Sequence, residues 1–189
     1  MEFALNSNTL QHDFLLAEHL SRDKIGAMHH ETHLPRLNRF IRTLSLFKVP
    51  LLGLCRPKVL ELSDSMAKVQ LPHEFLTKNH LGSMYFGALA MGAELSIALR
   101  LLERMRSEKI PVSFIFKDFS CEFHKRAEED VHFCTEEIKA LDDLIDRALS
   151  SEDRQNGTFK GYAVGASDPS TRLMSYQITI SLKKFSRTS

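Results

Sequence analysis

Cysteine is scarce in this chain of 189 residues: there are three, Cys55, Cys121 and Cys134, far apart and without a CxxC pair. That spacing and odd count argue against a disulfide framework and a cysteine zinc ribbon, and they predict reduced, buried thiols in a cytoplasmic compartment. Charge of one sign is equally lacking. With 25 Lys and Arg against 24 Asp and Glu, the formal net charge of +1 gives no electrostatic reason to expect nucleic acid or a membrane surface as the main partner. Long apolar runs are missing too. The stretch 44–54 is interrupted by Ser45, Lys48, Pro50 and Gly53, too short and too broken to span a bilayer. Residues 1–6 lack the charged-then-apolar order of a secretory signal, so a soluble protein is expected. No internal repeat or low-complexity segment occurs. Neither Ser83 nor Ser120 sits in a Gly-x-Ser-x-Gly elbow, which argues against serine-hydrolase chemistry.

What is present is enough apolar sequence, 43%, to bury the core of one domain. The chain is organised around the stretch 78–94, Lys78-Asn79-His80-Leu81-Gly82-Ser83-Met84-Tyr85-Phe86-Gly87-Ala88-Leu89-Ala90-Met91-Gly92-Ala93-Glu94. It starts polar and becomes an apolar helical run in which Glu94 is the only charge from residue 83 to 99. A helix apolar on every face is expected to be buried. Ser83 is a candidate N-cap, and Gly87 and Gly92 fit a helix whose backbone is closely approached. A carboxylate buried there needs a partner, a raised pKa or a chemical task. The alternative for Glu94 is a bond to a neighbouring strand, or a path to solvent along a groove.

The remaining elements follow from periodicity. Residues 9–25 and 35–49 read as amphipathic helices, and 51–57 as an apolar connector packed as a lid or brace. Between the helices, His29, His30 and His33 have helical spacing but no second ligand cluster, so a solvated turn is favoured over a metal site. Strands are expected at 58–62, 67–71, 113–125, 131–135, 159–166 and 173–182, with a bulge near Asp118 where the alternation slips. Residues 155–157 read as a turn and 141–149 as a short helix. Helices, then strands, one long apolar helix and more strands describe an α+β domain: a curved antiparallel sheet wrapped around a single helix. One protomer would leave a sheet edge and one side of the helix open, so a symmetric dimer is expected.

That order, with Asn79-His80-x-Gly82-Ser83-Met84-Tyr85-Phe86-Gly87-Ala88 opening the helix, resembles the hotdog-fold acyl-CoA thioesterase superfamily. The branch it is most similar to is the phenylacetate-pathway type and related uncharacterised hotdog proteins. There the helix opens with Asn-x-x-Gly-Thr-x-His-Gly-Gly, and an acid follows nine residues after the histidine. Laid without gaps, Asn79, Gly82, Ser83 and Gly87 match the Asn, first Gly, Thr and last Gly, and Glu94 falls on the acid. Tyr85 stands in place of the histidine and Phe86 in place of a glycine. The resemblance covers roughly 57–185, and implies a hotdog domain over 57–189 with an N-terminal helical extension over 1–56.

The resemblance further implies hydrolysis of an acyl-CoA or acyl-carrier thioester, without a cofactor or metal. The carbonyl oxygen would lie at the helix N-terminus on the backbone N–H groups of Phe86 and Gly87, and Glu94 would act as general base or nucleophile. Asn79 would hold water or the carbonyl, from its own or the opposite protomer, and His80, Gly82, Ser83 and Tyr85 would border the substrate. The homodimer could pair into a tetramer. Two other readings stay open. Loss of the histidine and the bulk of Phe86 suit a non-catalytic acyl-binding or scaffolding module. The spacing of His80 to Glu94 also matches the pair in hotdog 3-hydroxyacyl thioester dehydratases, although the proline-rich surroundings of that histidine are missing.

Overall fold

The structure is a computed structural model, and it describes residues 33–185. The expected helix at 9–25 and the histidines at 29 and 30 lie outside the described residues. Helix α1 (His33–Phe47) places Leu37 and Ile41 in the core with no solvent exposure, while Arg36, Arg39 and Arg42 face outward. The connector after it is a single short helix, α2 (Pro50–Leu54), begun by a proline at a position where its missing N–H costs nothing. Strands β1 (Lys58–Leu62) and β2 (Ala67–Leu71) form a hairpin, closed where the Ser63 N–H donates to Met66 O at 2.9 Å.

Helix α3 (Phe86–Ser107) follows, 22 residues long. Then come β3 (Val112–Phe123), β4 (Val131–Thr135), helix α4 (Ile138–Leu149), β5 (Gln155–Gly165) and β6 (Arg172–Lys184). The six strands form one sheet in the order β1-β2-β4-β5-β6-β3, and all five pairings are antiparallel. Helix α3 packs chiefly on β2, β4 and β5, and α4 on β5 and β6. The curved sheet around one long helix is the architecture expected from the element order.

Two sequence readings are corrected here. Residues 155–157 are not a turn but the start of β5, where Gln155, Asn156 and Gly157 pair with Leu182, Ser181 and Ile180. Helix α3 begins at Phe86 rather than Ser83, because the chain is still bonded as an extended loop at Tyr85. The bulge in β3 is found where the alternation slipped, between Phe116 and Asp118. It looks like a defect but preserves phase: Phe114 and Phe116 before it, and Phe119, Cys121 and Phe123 after it, all pair with the same face of β6. Tyr176, opposite Cys121, bonds Ser96 of α3 at 2.7 Å, which marks this as the helix-facing side.

The sheet's two edges are treated differently. At β1, the Asn38 amide of α1 accepts the Val59 N–H at 2.8 Å and donates to Val59 O at 2.9 Å, as a neighbouring strand would. At β3 no described element covers the outer side, and Phe119 and Phe123 are exposed there. Cys55 and Cys134 are buried and Cys121 is half-buried, all free thiols. Among the described residues no helix is long and apolar enough to cross a membrane, and no cluster of ligating side chains could hold a metal ion.

Candidate active site

The loop leading into α3 is built by Asn79. Its Oδ1 accepts the Leu81 N–H at 2.9 Å, its Nδ2 donates to Ser83 Oγ at 3.0 Å, and its own N–H donates to Ser83 O at 2.8 Å. Gly82 completes the turn at φ 82°, a left-handed conformation that a side chain would strain. His73 Nε2 braces the same turn, 2.8 Å from Gly82 O. Met84 and Tyr85 are then pinned by backbone bonds of 2.7 Å to Ala127 O and Thr77 O.

Ser83 therefore is not the N-cap. It is buried against Asn79, and the cap position is Tyr85, whose side chain makes no capping bond. The first intrahelical bond from this end runs from Leu89 N–H to Tyr85 O. The N–H groups of Phe86, Gly87 and Ala88 consequently have no partner among the described residues. Three free donors stand at the positive end of a 22-residue helix, where negative charge is favoured. The Tyr85 ring lies over Gly87, with Phe86 edge-on to it at 5.2 Å between centroids, so two half-exposed aromatic rings frame these donors.

From the donors an uncovered stripe runs along α3. Phe86 and Glu94 are exposed, and Gly87, Ala90 and Met91 between them are partly so, at the i, i+4, i+8 spacing of one helix face. The residues on the other faces, from Ala88 to Leu102, are buried apart from the half-buried Arg100. Glu94 was expected to be sunk in apolar surroundings; in the single chain solvent reaches it instead, along this stripe. Enough protein still surrounds the carboxyl that desolvation raises its pKa above the ordinary value of 4.5. The acid that is buried on this helix is Glu103, held by a two-pronged bond from Arg106 at 2.8 and 2.9 Å.

The structure thus brings Asn79, Gly82 and Ser83 together as a turn, and lines up Phe86, Gly87 and Glu94 on one stripe. It does not join the two groups: no hydrogen bond links Asn79 or His80 to Glu94 among the described residues, and His80 is exposed without a polar partner. Sequence reasoning missed a role for Cys55, at the end of α2. Its Sγ lies 3.7 Å from Met91 Sδ, fixing α2 beside the stripe, and nothing in the spacing of two sulfur residues signals such a contact. An open groove of about 440 Å³ across β3, β5 and β6, lined by Ser120, Glu122, Lys160, Arg172 and Gln177 among others, includes neither Glu94 nor the helix start.

Residues 38–181 match a family model described as a domain of unknown function, DUF4442. The chain belongs to that family. Among solved structures, the DUF4442 chain is similar to a Pseudomonas aeruginosa protein of unknown function described as a probable thioesterase, at 17% identity and TM-score 0.62, covering 78% of this chain and 95% of that one. It is similar to a Haemophilus influenzae thioesterase at 13% identity and TM-score 0.59, covering 83% and 95%. It is also similar to zebra fish thioesterase superfamily member 2 at 11% identity and TM-score 0.55, covering 80% and 99%. At such identities the likeness is one of fold, and the DUF4442 chain has the hotdog fold. No curated protein matches it in sequence.

Proposed function

We propose that this protein hydrolyses an acyl thioester, carried on coenzyme A or on a carrier protein. The observation that carries the reading is the shared stripe: free N–H groups at the start of α3 and, on the same open face, a carboxyl whose pKa is raised. The thioester carbonyl oxygen sits on the N–H groups of Phe86 and Gly87. Glu94 takes a proton from water, the hydroxide oxygen attacks the carbonyl carbon, and the charge develops on the carbonyl oxygen beside those donors. The C–S bond then breaks, the sulfur leaves as a thiol on taking up that proton, and a carboxylic acid remains.

Glu94 lies eight positions beyond Phe86, about 12 Å of helix rise. Helical side chains lean toward the N-terminus, so the Glu94 carboxyl extends back along the stripe toward the donors. Structures named as thioesterases share the fold, which supports the chemistry without assigning the residues. The uncovered β3 edge, with Phe119 and Phe123 exposed beside it, supports a homodimer in which a second copy closes the groove.

A binding module that holds acyl thioesters without cleaving them is the second reading. It is favoured by the Tyr85 and Phe86 rings standing at the donors. Thiol release from acyl-CoAs of several lengths, by the native protein and by Glu94→Gln, decides between them. Saturable hydrolysis that the substitution abolishes supports the enzyme. A native protein inactive at every length leaves the binding module.

A further inference from the structure

We infer that Leu51 and Leu54 of α2 are the wall on which the substrate's alkyl chain lies, so that this short helix sets chain-length preference. The inference rests on the thioester reading above and names the acyl group as aliphatic and long.

The helix α2 is one turn with two faces. Leu52 and Cys55 point into the core, and Cys55 holds the helix against Met91, one turn before Glu94. Two apolar side chains of the same turn stay bare: Leu51 is 63% and Leu54 53% exposed, with Phe47 at 77% one turn earlier. Two further contacts fix where that face lies. Arg56, just after α2, is paired with Glu74, which opens the turn 74–77. Thr77 O of that turn accepts the N–H of Tyr85, the residue that caps α3.

The three contacts close a ring from α2 through the turn to the start of α3 and back through Met91. Around it lie the exposed apolar side chains of Leu51, Leu54, Leu76, Tyr85 and Phe86, with Phe75 at the turn tip 90% exposed, beside the exposed ion pair of Arg56 and Glu74. Apolar exposure concentrated on one side of a protein marks a binding surface. Its continuity with the Glu94 stripe, through Cys55 and Met91, selects the occupant. A chain whose carbonyl sits on the helix donors must leave along this ring, and methylenes need no polar partner there. The five residues of α2 carry no polar side chain, and the nearby Arg56 is already paired.

The test is kcat/KM for saturated acyl-CoAs of four to sixteen carbons, with the native full chain and with Leu51→Ser/Leu54→Ser. Each methylene laid on the shelf is expected to raise the native value by up to about fourfold. The double variant should lose roughly tenfold or more on the twelve-carbon substrate and little on the four-carbon one, with an unchanged melting temperature. Leu54→Trp, which fills the shelf, should move the optimum to shorter chains. An unaltered length dependence in both variants overturns the inference. So does a change of oligomeric state or of vesicle binding with the length dependence intact, because the face then covers a second copy or lipid. Affinity for S-dodecyl- and S-butyl-CoA thioethers is measured alongside. If hydrolysis is absent but the native protein prefers the longer thioether and the double variant does not, the wall stands and the hydrolase reading falls.

Discussion

The Phe133 ring of β4 occupies the space where a side chain on Gly92 of α3 would begin. This contact sets how closely the helix approaches the sheet, and it explains a glycine in the middle of a buried helix. On propensity alone, Gly92→Ala would be favourable by about 1 kcal/mol. Here the added methyl must displace a ring with no solvent exposure, and overpacking of that kind costs about 1–3 kcal/mol. Gly92→Ala is therefore expected to lower the urea midpoint. Adding Phe133→Leu should return part of the loss, whereas each change alone destabilises.

Asn38 tests how the protected sheet edge is held. Asn38→Ala leaves the Val59 N–H and C=O without their side-chain partners at a half-buried position. Unmade bonds of this kind cost about 1–3 kcal/mol, so the melting temperature should fall. The bared β1 edge should also raise aggregation on heating, measured by light scattering. An Asn38→Ala protein as stable as the native one would mean that Leu37 and Ile41 alone dock α1.

The Glu94 carboxyl offers a test through pH. Desolvation raises its pKa in the folded chain, so folding favours the protonated form. The stabilisation linked to this group is full below the unfolded value and is lost as the pH rises through the folded one. Glutamine mimics the protonated state. Glu94→Gln should match the native melting temperature near pH 4 and exceed it at pH 7, a gap that a fully solvated carboxyl would not produce. In the native protein, hydrolysis by an ionised Glu94 should rise with pH across an apparent pKa above the ordinary carboxylate value, and the substituted protein should lack that limb.

The elements were legible because their patterns are strong. The β3 bulge could be read from phenylalanines that change phase at Asp118, since only an inserted residue keeps all of them on one face of the sheet. The long helix was legible from its apolar run, its start was not. Ser83 has the right chemistry for a cap, but Asn79 claims it, a choice made by loop geometry rather than composition. Glu94 and Glu103 mark the limit of that reading. Glu94, in the apolar stretch, is open to solvent, and Glu103, near the end of α3, is buried with Arg106, one turn on, satisfying it. Burial of a charge follows its partner and the packing around it, which a one-dimensional pattern does not contain.

The helix donors can be tested without disturbing the helix. Phe86 is the first residue of α3, where a backbone N–H has no intrahelical acceptor and proline is well tolerated. The residue before it, Tyr85, already has φ −65° and ψ 139°, the conformation that a following proline requires. Phe86→Pro should therefore fold like the native protein while deleting one donor of the oxyanion site. Phe86→Ala removes the same ring and keeps the donor. If the Phe86 N–H stabilises the oxyanion, the proline variant should lose about 100- to 1,000-fold in kcat, a loss the alanine variant does not share. Native rates in both variants would move the oxyanion to Gly87 and Ala88, and equal losses would mean that the Phe86 ring, not its amide, is what the substrate meets.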